Sequence, residues 1–367
     1  MTETLLPSNA TPIEVALDRA GDQAPKIDPA LSYISGWKHI VQPPDLRPYL
    51  VQEFGMGVLQ PFVETYAAIL ALRRPWCEAR GTHESVNRGL AIVGYSGTLK
   101  DPPARRTAWA EFQIDLDRVR DDREDLFKIA GIVDLSIPER STFRRGVNGH
   151  DVPAAEGCRT RLSGSILSND SGVRIDGKGP KWSFGRNYQF SHVLTEAELT
   201  SIGIWIPEID SSLWADMNFP WVTATFEWSN DAEQARRVSL ATSLEGLPCW
   251  LRFADAQDQT IGYRKSICRA VGHGLSGYTF GPDFLEPGTE NPLGVHVFAR
   301  TGFGDGYGSE AASVSVVIDA NVTDQTKPGQ LWLEPAGLTG GTEIAAQPVS
   351  ILFGETVREH VQFFLRF

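Results

Sequence analysis

Apolar residues recur at helical spacing through the first hundred positions of this chain and at strand spacing afterwards, so the chain has to combine two kinds of layer. Ser8 or Thr11 caps a helix opening at Pro12, with Ile13, Ala16 and Leu17 on one face and Gly21 at its end. Leu46, Leu50 and Phe54 repeat every four residues and predict a helix over Asp45 to Phe54. A third begins near Pro61, with Phe62, Tyr66, Ile69 and Leu70 facing inward, and Pro75 is expected to interrupt it before Trp76. Arg80 to Tyr95 reads as a capped helix: Thr82 covers the first free amides, Glu84 complements the dipole, and Gly94 suits a left-handed end. Its apolar stripe is Val86, Leu90 and Val93.

From Lys100 the period shortens. Ala108, Ala110, Phe112, Ile114 and Leu116 alternate with polar neighbours as a half-buried strand, and Asp121 to Val133 then reads as a helix with an acidic start. Gly146 to Arg186 is rich in turns and is expected to form short hairpins or an extended arm. Beyond Tyr188 strands are expected at Gly203 to Pro207, Trp221 to Trp228, Arg237 to Thr242, Trp250 to Ala254, Val295 to Arg300, Ala312 to Ile318, Gln330 to Leu333 and His360 to Phe367. The fold class is α+β: a helical region over 1–97, a small α+β region with hairpins over 98–187, and an antiparallel β-sandwich-like domain over 188–367.

Composition excludes several classes of function. A hydrophobic share of 41% over 367 residues supports a substantial core, and no apolar run approaches the length of a membrane span. Met1 to Thr4 lacks the basic and apolar blocks of a secretory signal. A net charge of −12 argues against a nucleic-acid groove, and Arg105-Arg106 and Arg144-Arg145 read as solvated loops or protein contacts. Cysteines at 77, 158, 249 and 268 show no zinc spacing; free buried thiols or a Cys249–Cys268 bridge are both open.

No catalytic constellation emerges, and the chain is not expected to be an enzyme or to carry a cofactor or metal. The seven histidines are scattered, and His83 reads as structural. Asp115 and Asp117 share one face, most simply a wet one. Gly302 to Gly308 fails the spacing of a dinucleotide loop, lacks the P-loop lysine and reads as a hairpin tip. Trp205, Trp214, Trp221, Trp228, Trp250 and Trp332 are mostly core candidates; Trp214, beside Asp216 and Pro220, is the candidate for an exposed ligand platform.

Leu5 to Leu17 resembles the N-terminus of the tail protein I family of P2-like contractile-tailed phages. Leu46 to Phe54 resembles that family's Leu-Pro-aromatic-Leu segment, Arg80 to Tyr95 its basic-Gly-Thr helix, and Trp182-Ser183-Phe184-Gly185-Arg186 a motif that often follows. The resemblance covers roughly residues 4–190 and departs from the family at Pro75-Trp76-Cys77, where one helix usually runs straight into the basic-Gly-Thr corner.

The resemblance implies a structural component of a baseplate wedge, located in the tail of the virion and assembled in the host cytoplasm. It implies that one copy joins two copies of a J-like baseplate protein by bundling helices, with six copies per baseplate. Val86, Leu90, Val93, Phe62 and Ile69 are then the candidate partner-binding residues. A tail fibre or fibre adaptor and neighbouring wedges are the further partners, contacted through the β domain. The alternative makes that domain a receptor- or carbohydrate-binding module, with Trp214 as its platform.

Overall fold

A computed structural model describes residues 6–7, 9–100, 109–119, 121–155, 161, 164–204, 231–288, 291–327 and 329–367. Contacts divide the chain into two compact units: residues 1–96 with 127–141, and residues 97–126 with 142–367. The stretch 98–187 is therefore shared between them and does not stand as a body of its own.

The first unit is helical. Helix α1 (Pro12–Gly21) opens on a reciprocal cap, in which the Thr11 amide donates to Glu14 Oε2 at 2.7 Å and the Glu14 amide donates to Thr11 Oγ1 at 3.4 Å. Helix α2 (Ala24–Gly36) follows and runs into a π turn at Trp37–Val41. Helix α3 (Arg47–Glu53) buries Leu50 and Val51.

Helix α4 spans Tyr66–Cys77 and is capped by Thr65, so Phe62 lies in the turn before it and Tyr66, expected inside, is 41% exposed. Pro75 does not interrupt this helix, contrary to the sequence expectation. The turn closes beyond it, with the Glu78 amide donating to Arg74 O at 3.1 Å. Trp76 is buried there and donates Nε1–H to Ser136 Oγ at 3.0 Å. Burying that indole offsets the lost backbone bond.

Helix α5 (His83–Ile92) is capped by Thr82 and leaves through Gly94 at φ 77°, with the Tyr95 amide donating to Leu90 O. Helix α6 (Arg123–Ser136) supplies Ile129, Ile132 and Val133 to the same core.

The second unit packs two sheets. Its strands are β1 (Gly97–Lys100), β2 (Glu111–Leu116), β3 (Thr142–Asn148), β4 (Lys181–Val193), β5 (Cys249–Ala254), β6 (Thr260–Lys265), β7 (Ile267–Gly274), β8 (Tyr278–Phe280), β9 (Asp283–Pro287), β10 (Gly294–Arg300), β11 (Glu310–Val322), β12 (Trp332–Leu333), β13 (Leu338–Leu352) and β14 (Val357–Arg366). The larger sheet runs β1-β2-β3-β4-β14-β10-β7-β9-β8 and the smaller β12-β6-β5-β11-β13.

The smaller sheet is antiparallel throughout, but the pairs β2·β3, β3·β4 and β4·β14 are parallel. The larger sheet is thus mixed rather than antiparallel. Strand β4, from the turn-rich stretch expected to be an arm, inserts beside the C-terminal strand because Tyr188 and Phe190 reach the inter-sheet core. The Phe190 and Phe363 rings lie 5.1 Å apart. Val295, Val297, Val361, Phe363 and Leu365 from this sheet meet Leu251, Phe253, Val314, Val316 and Ile351 from the other.

Among the described residues the unit also holds the short helix α7 (Glu196–Ser201) and the longer α8 (Asp231–Glu245). The strand expected at Arg237 to Thr242 lies inside α8: Leu240, Ala241 and Leu244 are buried at helical spacing. Gly203, expected to start a strand, turns at φ 79° at the end of α7, and positions 205–207 lie outside the described residues. The strand expected at Trp221 to Trp228 lies outside them too. Cys249 and Cys268 are buried as free thiols, Cys268 donating to Leu244 O at 3.4 Å.

Candidate functional site

Two surfaces are built differently from ordinary solvated protein. The first is the opening of the helical unit. Helix α1 buries none of its side chains, and its residues Ile13 and Leu17, one turn apart, are 73% and 67% exposed. Ile27 and Leu31 on α2 repeat the same spacing and are about half exposed, and Ile40 in the π turn is exposed as well. Each of these two helices thus leaves a pair of apolar side chains at i and i+4 uncovered.

The residues proposed from sequence for that purpose lie elsewhere. Val86, Leu90 and Ile69 are at most 1% exposed, inside the core of the helical unit. Val93 is half-buried, and Phe62, also half-buried, packs against the open side of Gly131 on α6. The stripe of α5 is consumed by the chain's own packing: Gly89 approaches Ser136 and Ile132 closely, and Ser85 donates to Ser136 O at 2.6 Å. Val86, Leu90 and Ile69 are thus taken up by the chain's own packing, while Val93 and Phe62 stay partly accessible. Ile13 and Leu17, marked in sequence as one face of a helix, are the exposed apolar pair.

The second surface is a cleft of about 810 Å³ on the outer face of the larger sheet. Strand alternation sends Val361, Phe363 and Leu365 of β14 and Val295, Val297 and Ala299 of β10 into the core. The intervening His360, Gln362, His296, Phe298 and Arg300 turn outward, joined by Asn187 and Gln189 of β4 and covered on one side by Tyr278 of β8.

A polar relay crosses three strands there. His296 Nε2 donates to Gln362 Oε1 at 3.1 Å, and Gln362 Nε2 donates to Asn187 Oδ1 at 2.7 Å. That assignment leaves Nδ1 as the lone-pair nitrogen of His296, and it is buried without a hydrogen-bond partner. Burial holds His296 down at about 4, and burial together with Arg300 does the same to His360.

Arg264, Lys265, Arg300 and Arg358 supply positive charge to the lining. Arg264 bonds Asp305 at 2.9 Å, and Arg358 donates to Thr301 O at 2.6 Å. The loop after β10 serves this frame: Asp305 also accepts the Gly302 amide at 2.5 Å, which is how the glycine-rich run is spent.

Trp250 is buried, and Trp332 packs between Phe253 and Phe353 at 5.9 Å from each. Trp205, Trp214, Trp221 and Trp228, with the proposed platform, lie outside the described residues. Asp115 bonds Lys100 at 2.6 Å. No group of three His, Cys, Asp or Glu residues placed to share a metal ion occurs among the described residues, and no helix among them is long and apolar enough to cross a membrane.

Residues 6–139 match the family model described as phage tail protein (Tail_P2_I), the family that the sequence resembles. No curated protein matches the chain. The family match supports a structural role in a phage tail, a place in the virion tail and interaction with other tail components.

Proposed function

We propose that this chain, whose residues 6–139 match the phage tail protein family model, is a structural part of a contractile-tail baseplate wedge and has no enzymatic role. It joins a J-like baseplate protein through its first two helices and offers its β unit to fibres or neighbouring wedges. The observation that carries this reading is the pair of uncovered apolar stripes, Ile13 with Leu17 on α1 and Ile27 with Leu31 on α2. Such stripes cost solubility in a free chain and become favourable when a partner helix removes them from water, at about 25 cal/mol per Å².

The Thr11 cap and the Pro12 start bias α1 toward helix. That bias lowers the ordering cost of association, and a partner's packing would supply the rest.

Co-expression with a J-like baseplate protein tests the proposal. The wild-type pair is expected to co-purify as a stable complex. Ile13→Asp with Leu17→Asp is expected to weaken it at least about tenfold, since two charges would enter an apolar contact. A chain that ignores the J-like protein, or a double variant that binds as well as the wild type, overturns it.

A further inference from the structure

The geometry points to the cleft between β4, β14, β10 and the β8 hairpin as a binding site for an acidic saccharide, a sugar chain bearing carboxylate or phosphate groups. The cleft contributes nothing to the wedge contact proposed above, which lies in the other unit.

Its construction is what separates it from a solvated sheet face. On such a face polar side chains end in water, whereas here Gln362 and His296 are 4% and 1% exposed and still line an open volume. Their hydrogen bonds account for all but one strong position, the His296 Nδ1 lone pair. That nitrogen is itself sealed from solvent, so a ligand would be held by the outward-facing groups around it. The Gln189 amide is held by Thr279 O and the Gly281 amide, but with neutral imidazole at His360 and the Asn187 amide at the edge the floor offers both donors and acceptors at the spacing of adjacent strands. That mixed pattern suits a ring of vicinal hydroxyls, each of which is donor and acceptor at once.

Two further features define the ligand. Tyr278 and Phe298 form one aromatic wall, their rings 4.9 Å apart and the Tyr278 ring 5.0 Å from that of His296. Aromatic faces of this kind cover the C–H side of a sugar ring. The lining contains Arg264, Lys265, Arg300 and Arg358 and no Asp or Glu, in a chain whose overall charge is −12. Asp305 neutralises Arg264 from behind, and the surplus belongs to an anionic ligand. About 810 Å³ lies in the range of small-molecule sites and accommodates a short oligosaccharide. An extended nucleic acid would need a continuous basic track beyond these four cations.

Titration of the intact chain with oligogalacturonate, a phosphorylated maltooligosaccharide, a neutral maltooligosaccharide and oligothymidylate tests the inference. One or both acidic saccharides are expected to bind at least about tenfold more tightly than the neutral one, and to weaken with added salt. Preference between the two tells carboxylate from phosphate. Arg300→Gln, at an exposed position, and Tyr278→Ala are each expected to cost about tenfold, while Leu275→Ser in the neighbouring turn, 97% exposed and outside the lining, leaves binding unchanged. Absence of binding to both acidic saccharides at about 1 mM overturns the proposal, as does equal binding of the neutral sugar or of oligothymidylate. Indifference to both cleft variants, with their folds verified by circular dichroism, overturns it too.

Discussion

The two units of this chain handle the wrong kind of surface in opposite ways. The helical unit leaves apolar side chains outside: Ile13, Leu17 and Ile40 are each more than two-thirds exposed, on segments that bury nothing. The β unit takes polar and ionisable groups inside: His150, His296, Glu359 and Gln362 are all at most 7% exposed. An apolar side chain left in water carries a modest cost that a partner removes by covering it. A buried titratable group costs stability whenever the pH favours its charged form. The first unit is thus arranged for association and the second for sensitivity to its surroundings.

Acid should break the symmetry of that contrast with the largest effect. Burial, assisted by Arg358 and Arg300, holds His150 at about 4, and His296 and His360 are likewise at about 4. Their folded values lie below the unfolded 6.5, so their contribution is present above pH 6.5 and is lost as pH falls from there through 4. Allowing for solvent screening, each is worth of the order of 2 kcal/mol, and three together reach the low end of a domain's stability, about 5–15 kcal/mol.

Glu359 acts in the other direction. Burial raises it to about 7 against the pull of Arg186 at 3.2 Å, so its contribution is present below pH 4.5 and is lost as pH rises through 7. One carboxyl does not outweigh three imidazoles. Hydrogen exchange read by mass spectrometry is expected to show residues 249–367 losing protection between pH 6.5 and 4 before α3 to α5 do. Equal loss in both units would remove the distinction.

Next in size is a change at the centre of the helical unit. Trp76→Ala removes a fully buried indole and leaves Ser136 Oγ without its donor, at an expected cost of about 3–5 kcal/mol. Thermal melting should register that loss, and the same truncation at the half-buried Trp332 should cost less, because that ring is only partly removed from water. A smaller loss at Trp76 than at Trp332 would mean that Pro75 and not the indole organises the end of α4.

Much of this was legible in sequence where a period could be read within one element. The Thr82 cap, the Val86 and Leu90 stripe and the alternation in β10 and β14 follow from local spacing alone. Pairing was not legible: β4 lies parallel to β14, and Arg186 meets Glu359 across 173 positions, a distance over which periodicity carries no information. Arg237 to Thr242 alternates like a strand because Val238 and Leu240 are two apart, whereas the burial of Leu240 and Leu244 follows the helix. The cleft was hidden for a related reason. His296, His360 and Gln362 occupy the polar positions of half-buried strands, which look the same in sequence whether they end in bulk water or line a cavity. Periodicity likewise identified Ile13 and Leu17 as a face without saying whether the chain itself covers it.

That last ambiguity yields the smallest expected effect and the sharpest division between the units. Ile13→Ser with Leu17→Ser should change the melting of the free chain by no more than about 0.5 kcal/mol, since neither side chain is buried and the Thr11 cap is untouched. The same chemistry at Val86 and Leu90, both at most 1% exposed, should cost several-fold more, because hydroxyls would enter a packed apolar core. Two stripes of similar sequence pattern would then differ only in what covers them. A clear destabilisation by the α1 double variant, measured on the free chain, would show that the chain already covers Ile13 and Leu17 and would leave the partner nothing to bury.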